Sequence, residues 1–451
     1  MERKINGKIK FTTFNIIIIG FIIVIIAGTI LLMLPLSSRT RTFTPFLDAL
    51  FTATSATCVT GLVLHDTATY WSAFGQFVIL MLIQTGGMGV VTLSICVTRL
   101  SGRKIGLIQR STMQESIAAP AVGGIVRMTS FIIKGIILFE VAGSVIMMPV
   151  FIKDFGILKG LWYSVFHSVS AFCNAGFDLM GRPGNGYASL TGYSSNAIIN
   201  ITIIMLILIG GIGFTTWNDI VTNKNVLKKY RLQTKIILVT TVVLVVIPAL
   251  YYYFGEFESG RWGNMSEKDK ILASLFQTVT PRTAGFNTVD LTKISEAGIT
   301  IMILLMLIGG APGSTAGGMK LTTVAILFTN MITVFKRKGD IECYGRRIED
   351  SVVKSAATLI MMYASLCIGG AVIISIVEKL PMLACIFETA SAVATVGLTL
   401  GITPGLGIVS KIVLIILMYI GRVGGLTLIF ATVSESVKKG SKYPKEKVTV
   451  G

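Results

Sequence analysis

Four segments of this 451-residue chain share one pattern, and their even spacing limits what the chain can fold into. They read Leu50-Phe51-Thr52-Ala53-Thr54-Ser55-Ala56-Thr57-Cys58-Val59-Thr60-Gly61-Leu62, Val165-Phe166-His167-Ser168-Val169-Ser170-Ala171-Phe172-Cys173-Asn174-Ala175-Gly176-Phe177, Leu275-Phe276-Gln277-Thr278-Val279-Thr280-Pro281-Arg282-Thr283-Ala284-Gly285-Phe286 and Ile386-Phe387-Glu388-Thr389-Ala390-Ser391-Ala392-Val393-Ala394-Thr395-Val396-Gly397-Leu398. Each runs from a Phe, through small and hydroxyl residues, to a Gly followed by a large apolar residue. The Phe-to-Gly interval is ten residues in three copies and nine in the third, where Pro281 occupies the turn. The glycines stand 115, 109 and 112 residues apart. One such glycine would mean a turn or close helix packing. Four at matched positions mean one structural unit used four times.

Hydropathy says where the unit sits. Apolar residues make up 53% of the chain, charged residues 14%, and mean hydropathy is +0.77. Soluble domains carry about 25% charged residues. Phe11–Leu34 is 24 residues without a charge, enough at about 1.5 Å per residue to cross the ~30 Å hydrocarbon layer. It is too long for a signal-peptide core and has no small-residue cleavage site after it, so it reads as a retained helix. Seven further spans are expected at Ala73–Thr98, Val126–Phe151, Asn196–Trp217, Thr234–Phe254, Gly298–Phe335 (interrupted), Ser351–Val377 and Gly407–Val433.

The formal charge of +18 would suggest nucleic acid in a soluble protein. Here it reads as topology. One set of connections, with both termini, holds 25 Lys and Arg, against 12 on the other side. The positive-inside rule makes both termini cytoplasmic. No nucleic-acid partner is expected. Each of the four segments then falls between two spans, on the opposite side, too short to cross and therefore re-entrant. The reading is an all-α integral membrane protein of eight transmembrane spans. It comprises four tandem units of helix, re-entrant pore helix and helix, at 11–99, 126–217, 234–335 and 351–433, with a cytoplasmic tail at 434–451.

Four equivalent units around an axis can present extended backbone to its centre. Carbonyl oxygens there replace the hydration shell of a monovalent cation. Glycine permits the dihedrals this needs, and pore helices ending at the ring direct their negative ends toward the ion. The candidate selectivity filter comprises Cys58, Val59, Thr60 and Gly61; Cys173, Asn174, Ala175 and Gly176; Arg282, Thr283, Ala284 and Gly285; and Ala394, Thr395, Val396 and Gly397. A guanidinium aimed into a cation path would repel the ion, so Arg282 is expected to point away and brace the loop. Asn174, Thr283 and Thr395 are expected to pack behind the filter.

The segment Thr280-Pro281-Arg282-Thr283-Ala284-Gly285-Phe286, the stretch Gln84–Gly89 and the break Gly309–Lys320 together resemble the membrane subunit of the Ktr/Trk superfamily of potassium transporters, across essentially the whole chain. Trk-type members carry two further N-terminal helices. The first unit here begins at residue 11, which resembles the Ktr branch. The resemblance implies a pseudo-fourfold K+ pore in the cell membrane, a homodimer, and a cytosolic ring of nucleotide-binding RCK subunits, with Na+ a candidate activator and no cofactor in this chain. Filter glycines in all four copies go, in that superfamily, with potassium.

The third long span contains five Gly and a Pro between residues 309 and 318. No ordinary helix holds that many breakers, and unwound backbone at membrane depth must line a cavity or be buried in protein. The expectation is an intramembrane gate at 309–320 below the filter, formed by Gly309, Gly310, Gly313, Ser314, Thr315, Gly317, Gly318 and Lys320. A static packing kink is the alternative. Arg422, inside the last span, either hydrogen-bonds loop carbonyls and places a positive barrier in the path, or pairs structurally. Lys320 either snorkels or lines an inner vestibule.

Asp48, Asp66, Asp178, Asp290 and Glu388 fall near the outer mouth. They raise local cation concentration there or act as helix caps and surface charges. Lys134 and Glu140, six apart in one span, are given no role. Six Cys without a CxxC and two His offer no metal set beyond K+ at the filter, and no Cys-His enzyme. Gly309–Gly318 lacks the ending of a P-loop. Not an enzyme, then. The rival readings are a sodium or unselective monovalent cation pathway and a secondary ion-coupled transporter with substrate at broken helices. A partner is expected to dock at 336–347, where the gate's span runs into Phe335-Lys336-Arg337-Lys338, and membrane lipid is a further partner for the basic face.

Overall fold

The computed structural model describes residues 13–90, 92, 106–117, 123–184, 186–224, 226–263, 265–424 and 446. The N-terminal basic stretch, the C-terminal ends of the spans expected at Ala73–Thr98 and Gly407–Val433, and the tail at 434–451 apart from residue 446 lie outside them.

The helices are α1 Thr13–Met33, α2 Phe46–Thr57, α3 Ala73–Met88, α4 Leu107–Ser116, α5 Ile125–Phe155, α6 Ile157–Phe172, α7 Ala197–Gly211, α8 Phe214–Asn223, α9 Leu232–Tyr251, α10 Glu267–Val279, α11 Glu296–Leu307, α12 Leu321–Phe335, α13 Asp350–Glu378, α14 Met382–Val393 and α15 Ile408–Val423. One small hairpin, β1 Ile341–Cys343 with β2 Arg346–Ile348, follows α12. It overlaps the segment expected to receive a partner, 336–347, and ends one residue beyond it.

A long helix, a short helix, a glycine-terminated loop and a second helix recur four times. Within each set the short helix packs on its long one: α2 on α1, α6 on α5, α10 on α9 and α14 on α13. Between sets the rule is cyclic. Helix α3 packs on α6, α7 on α10, α11 on α14, and α15 returns to α2. The salt bridge between Lys411 on α15 and Asp48 on α2 (3.0 Å) spans this closing seam. Buried side chains gather into two main clusters, one including Phe151, Phe166, Phe172 and Trp217, the other Tyr252, Tyr363, Phe387 and Met418. The outside is apolar as well. Ile23, Leu138, Val242, Ile247 and Ile376 are all exposed, a surface suited to hydrocarbon rather than water.

The second helices depart from the expectation of eight continuous spans. Among the described residues, only α1 (from Phe14), α5, α9 extended to Phe257, and α13 are single helices long and apolar enough to cross a bilayer; α7 and α8 make a fifth span bent by 93°. The cause is local. Helix α3 ends at Gly89 (φ 82°), α7 runs to a break at Gly213 (φ 90°), and α15 ends at Gly424 (φ 91°), all left-handed. The sequence reading placed a break in the third set alone. Among the described residues, the structure adds a break at Gly213 and left-handed helix ends at Gly89 and Gly424, the matching points of the other three sets.

Candidate functional site

The four loops after the short helices meet one another. A Cβ built on Gly61 would lie 2.5 Å from the carbonyl oxygen of Ala175, and one on Gly176 would lie 2.7 Å from that of Ala284. One on Gly285 would overlap the carbonyl of Val396, and one on Gly397 that of Thr60. Each glycine thus seats the carbonyl just before the next glycine, and the fourth returns to the first. The circuit is closed. All four glycines are left-handed (φ 96°, 69°, 81° and 94°), so any side chain would add strain to the collision.

Two residues before each glycine the backbone is again left-handed: Val59 (57°), Asn174 (60°), Thr283 (68°) and Thr395 (53°). Three of these are β-branched, for which that region is unfavourable. Strain of this kind, used four times at equivalent places, marks a functional constraint. The helix ends aim at the loops in the same way, with Cys58, Cys173 and Ala394 as C-caps in near-identical conformations.

Hydroxyls that the sequence reading did not single out tie the loops back. Ser55 Oγ accepts from the Gly61 amide (3.1 Å) and Ser391 Oγ from that of Gly397 (3.0 Å). In the other two loops the hydroxyl donates, from Ser170 to the Phe177 carbonyl (2.7 Å) and from Thr280 to that of Phe286. The signal was in the alignment of the segments: a hydroxyl stands six residues before the glycine in three and five before it in the third.

Asn174 Nδ2 donates to Thr283 Oγ1 (3.3 Å). Arg282 Nη2 donates to Thr241 Oγ1 on α9 (3.4 Å); the residue is buried, and its Nε and Nη1 have no hydrogen-bond partner among the described residues. Glu140, given no role, is buried on α5. Its Oε2 accepts from Gln84 Nε2 (3.2 Å), Cys173 Sγ lies 3.8 Å from its Oε1, and its carbonyl accepts from Ser168 Oγ (2.6 Å). An intramembrane carboxylate was itself the signal to follow.

The second glycine set has a separate task. A Cβ on Gly86 would overlap the Thr57 carbonyl, one on Gly210 that of Phe172, and one on Gly421 that of Val393. These carbonyls each lie four residues before a ring glycine. The glycines let the short helices drive their C-terminal ends against the second helices.

Beneath the ring lies the loop between α11 and α12. It closes on itself through Gly309 N to Met319 O (2.8 Å) and Leu321 N to Gly310 O (3.1 Å). Backbone bonds fix it to the break in α7–α8, with Ala311 N to Gly211 O (2.8 Å) and Phe214 N to Gly313 O (2.7 Å), and to α15 through Gly318 N to Gly421 O (3.2 Å). Thr315 Oγ1 donates to the Phe172 carbonyl (3.1 Å), Gly318 faces Ala394, and Gly310 lies in the neck against Ala316. The Ser314 hydroxyl is buried and has no hydrogen-bond partner among the described residues. Arg422 Nη1 donates to the Thr315 carbonyl, and Nη2 to those of Gly86 and Gly87 (3.4 Å for the latter). Lys320 Nζ turns back on Ala316 O (2.8 Å) and Gly317 O (3.4 Å). A cavity of about 340 Å³ lies against the loop, lined by Gly87, Ile117, Pro312, Ala316, Lys320 and Arg422 among others, and by none of the ring residues.

Of the acidic residues expected at the mouth, Asp66 caps the one-turn helix Thr67–Tyr70 by accepting from Thr69 N, and Asp290 caps another by accepting from Thr292 N. Asp48 is engaged by Lys411 and by His65 (3.1 Å). Glu388 is fully buried rather than at the surface.

A family model for the TrkH cation transport proteins matches residues 6–439. The chain belongs to this family. It is 38% identical to the potassium/sodium uptake protein NtpJ of Enterococcus hirae, over 100% of this chain and 99% of that one. It is also 38% identical to the Ktr system potassium uptake protein B of Bacillus subtilis, over 99% of each, and 32% identical to the protein of that name from Vibrio alginolyticus, over 97% and 94%. Among solved structures it resembles the potassium transporter TrkH from Vibrio parahaemolyticus, with a TM-score of 0.73 at 21% identity, over 96% of this chain and 87% of that one. Membership of a cation transporter family settles the class: a multi-pass membrane protein that moves cations and is not an enzyme.

Proposed function

We propose that the chain is a potassium uptake pore of the Ktr type, built as four pore units (11–99, 126–217, 234–335 and 351–433) in the cell membrane with both termini cytoplasmic. The closed circuit of Gly61, Gly176, Gly285 and Gly397 carries the reading. A ring in which every glycine seats the next unit's carbonyl leaves backbone as the only chemistry at the axis, and carbonyl oxygens suit a large monovalent cation. The filter is the set of four windows ending on these glycines. The names of the curated relatives, uptake proteins for potassium or for potassium and sodium, support it.

The loop at 309–320 is the gate. It occupies the space between ring and cavity, and it is held there by contacts that can be exchanged: backbone bonds to two glycine breaks and the fork of Arg422. Because α12 runs from the loop to the charged hairpin at 341–348, a partner seated on 336–347 can bias the gate, provided it binds the two states unequally. The partner we assign is a cytosolic RCK-type nucleotide-binding ring beneath a homodimer of this chain, with Na+ a candidate activator. The Ktr relatives are named as components of a system, which fits such a partner.

Flux in liposomes tests the filter: rubidium should enter with a clear preference over sodium, and equal rates would exclude a potassium filter. Removal of residues 313–317 tests the gate. It should give high flux without a partner, and low, partner-dependent flux would exclude the loop mechanism. The reading of a sodium pathway stays attached to the first measurement, since one relative is named for both ions.

A further inference from the structure

One position on the short helices lies nine residues before the ring glycine, or eight in the third, and carries a buried polar residue in all four units: Thr52, His167, Gln277 and Glu388. What these side chains do divides them into two pairs. Glu388 Oε2 accepts from Thr399 Oγ1 (2.9 Å) and its Oε1 from Thr403 Oγ1, while Thr399 Oγ1 also accepts from Gly401 N (3.0 Å). One carboxylate therefore holds the whole turn that follows Gly397. His167 does the same in its unit. Its Nε2 accepts from the backbone amide of Leu179, three residues past Gly176 (3.3 Å), and its Nδ1 faces the Tyr163 carbonyl (2.7 Å). A backbone amide can only donate and a carbonyl only accept, so the ring is held as the Nδ1–H tautomer.

The other two do not reach the strand after the glycine. Thr52 Oγ1 donates to Asp48 O within its own helix (2.9 Å), and neither amide atom of Gln277 has a hydrogen-bond partner among the described residues. The circuit of glycine contacts runs first, second, third, fourth. The braced units, second and fourth, are therefore diagonal partners. The same two units carry the loop below: Thr315 bonds the Phe172 carbonyl in one, and Gly317 and Gly318 abut Thr395 and Ala394 in the other.

We propose that Glu388 and His167 are positioning residues that set ion preference by fixing one diagonal of the filter. From this one position they hold the chain just past Gly397 and Gly176, a brace that Thr52 and Gln277 do not supply on the other diagonal. The inference rests on reading the four windows as a filter. Where a buried hydrogen bond to a carboxylate fixes a turn, its loss leaves polar partners unpaired and the turn free to move. The carbonyls on that diagonal then no longer hold a spacing matched to one ion.

The test measures sodium competition against rubidium uptake in proteoliposomes, with thermal unfolding as the check on folding. Glu388→Ala, the pair Thr399→Val with Thr403→Val, and His167→Ala should each lower the preference for rubidium at least five-fold. Thr403→Ser keeps the donor and His167→Gln keeps an acceptor, so both should stay within two-fold of wild type. Thr52→Ala and Gln277→Leu, on the other diagonal, should also stay within two-fold. Should Glu388→Ala fail to fold, the threonine pair decides for that brace. The proposal is overturned if the threonine pair or His167→Ala keeps wild-type preference in folded protein, or if Thr52→Ala and Gln277→Leu lower it equally. A wild-type protein without preference would instead overturn the filter reading itself.

Discussion

Gly317, in the loop between α11 and α12, lies directly against Thr395 of the fourth ring window: a Cβ at 317 would overlap the threonine's Oγ1 and lie 3.1 Å from its Cβ. The loop is thus pressed against the underside of the ring with no space for a methyl group. Gly317→Ala should displace it. We expect rubidium uptake by the purified protein alone to rise several-fold; unchanged uptake would mean that the loop does not obstruct the path.

Arg422 joins three carbonyls that belong to two separate elements, those of Thr315, Gly86 and Gly87. A guanidinium fork can do this and an ammonium cannot do so equally well. Arg422→Gln should raise basal uptake, and Arg422→Lys should give an intermediate value. Identical uptake in Lys and wild-type proteins would show that charge alone, without the fork, holds the loop.

Alanine at Gly86 or Gly421 would place a methyl group on the carbonyl of Thr57 or Val393. Backbone cannot rotate aside as a side chain can, and overpacking costs about 1–3 kcal/mol or more. Both variants should unfold at lower temperature. Gly369, also helical, has open space at its Cβ site, and Gly369→Ala should be neutral or stabilising by roughly 0.5–1 kcal/mol. A loss of stability at 369 equal to that at 86 would refute the docking account of the second glycine set.

Asp178, in the loop two residues past Gly176, keeps part of its surface open while protein encloses its carboxyl. Burial is the main cause that pushes the carboxyl up to about 7, and the charge of Asp66 adds to it. Such a group is ionised above about pH 7 and neutral below it. Its attraction for an entering cation is therefore present at pH 8 and fades toward pH 6. The KM for rubidium should rise over that interval, and Asp178→Asn should remove the dependence. A pH profile unchanged by the substitution would assign the effect elsewhere.

Much of this architecture was legible in the sequence because it rests on backbone. Glycines at 61, 176, 285 and 397 leave a mark that any reader can align, and the long helices α1, α5, α9 and α13 follow from hydropathy. The left-handed Val59, Thr283 and Thr395 left no such mark, since β-branched residues argue against that conformation. The breaks at Gly89 and Gly213 and the helix end at Gly424 were hidden for a different reason: a few glycines without a proline, as at 86, 87 and 89, are compatible with a continuous apolar helix, and only the third set, with five Gly and a Pro, declared itself. Long-range partners were the least legible. Glu140 with Gln84, and Arg422 with Thr315, are brought together by tertiary packing across 56 and 107 residues. The assignment of Asp48 to Lys411 needed closure of the ring over 363 residues.

The ring of glycines and carbonyls also has a genetic consequence. A channel assembled from four identical chains must accept every substitution four times over, so a change at the axis is all or nothing. Here each quadrant is encoded separately while the backbone contacts between quadrants are the same. Cys58, Cys173, Arg282 and Ala394 occupy one equivalent place through four separate codons. A single-chain ring can therefore be adjusted one quarter at a time.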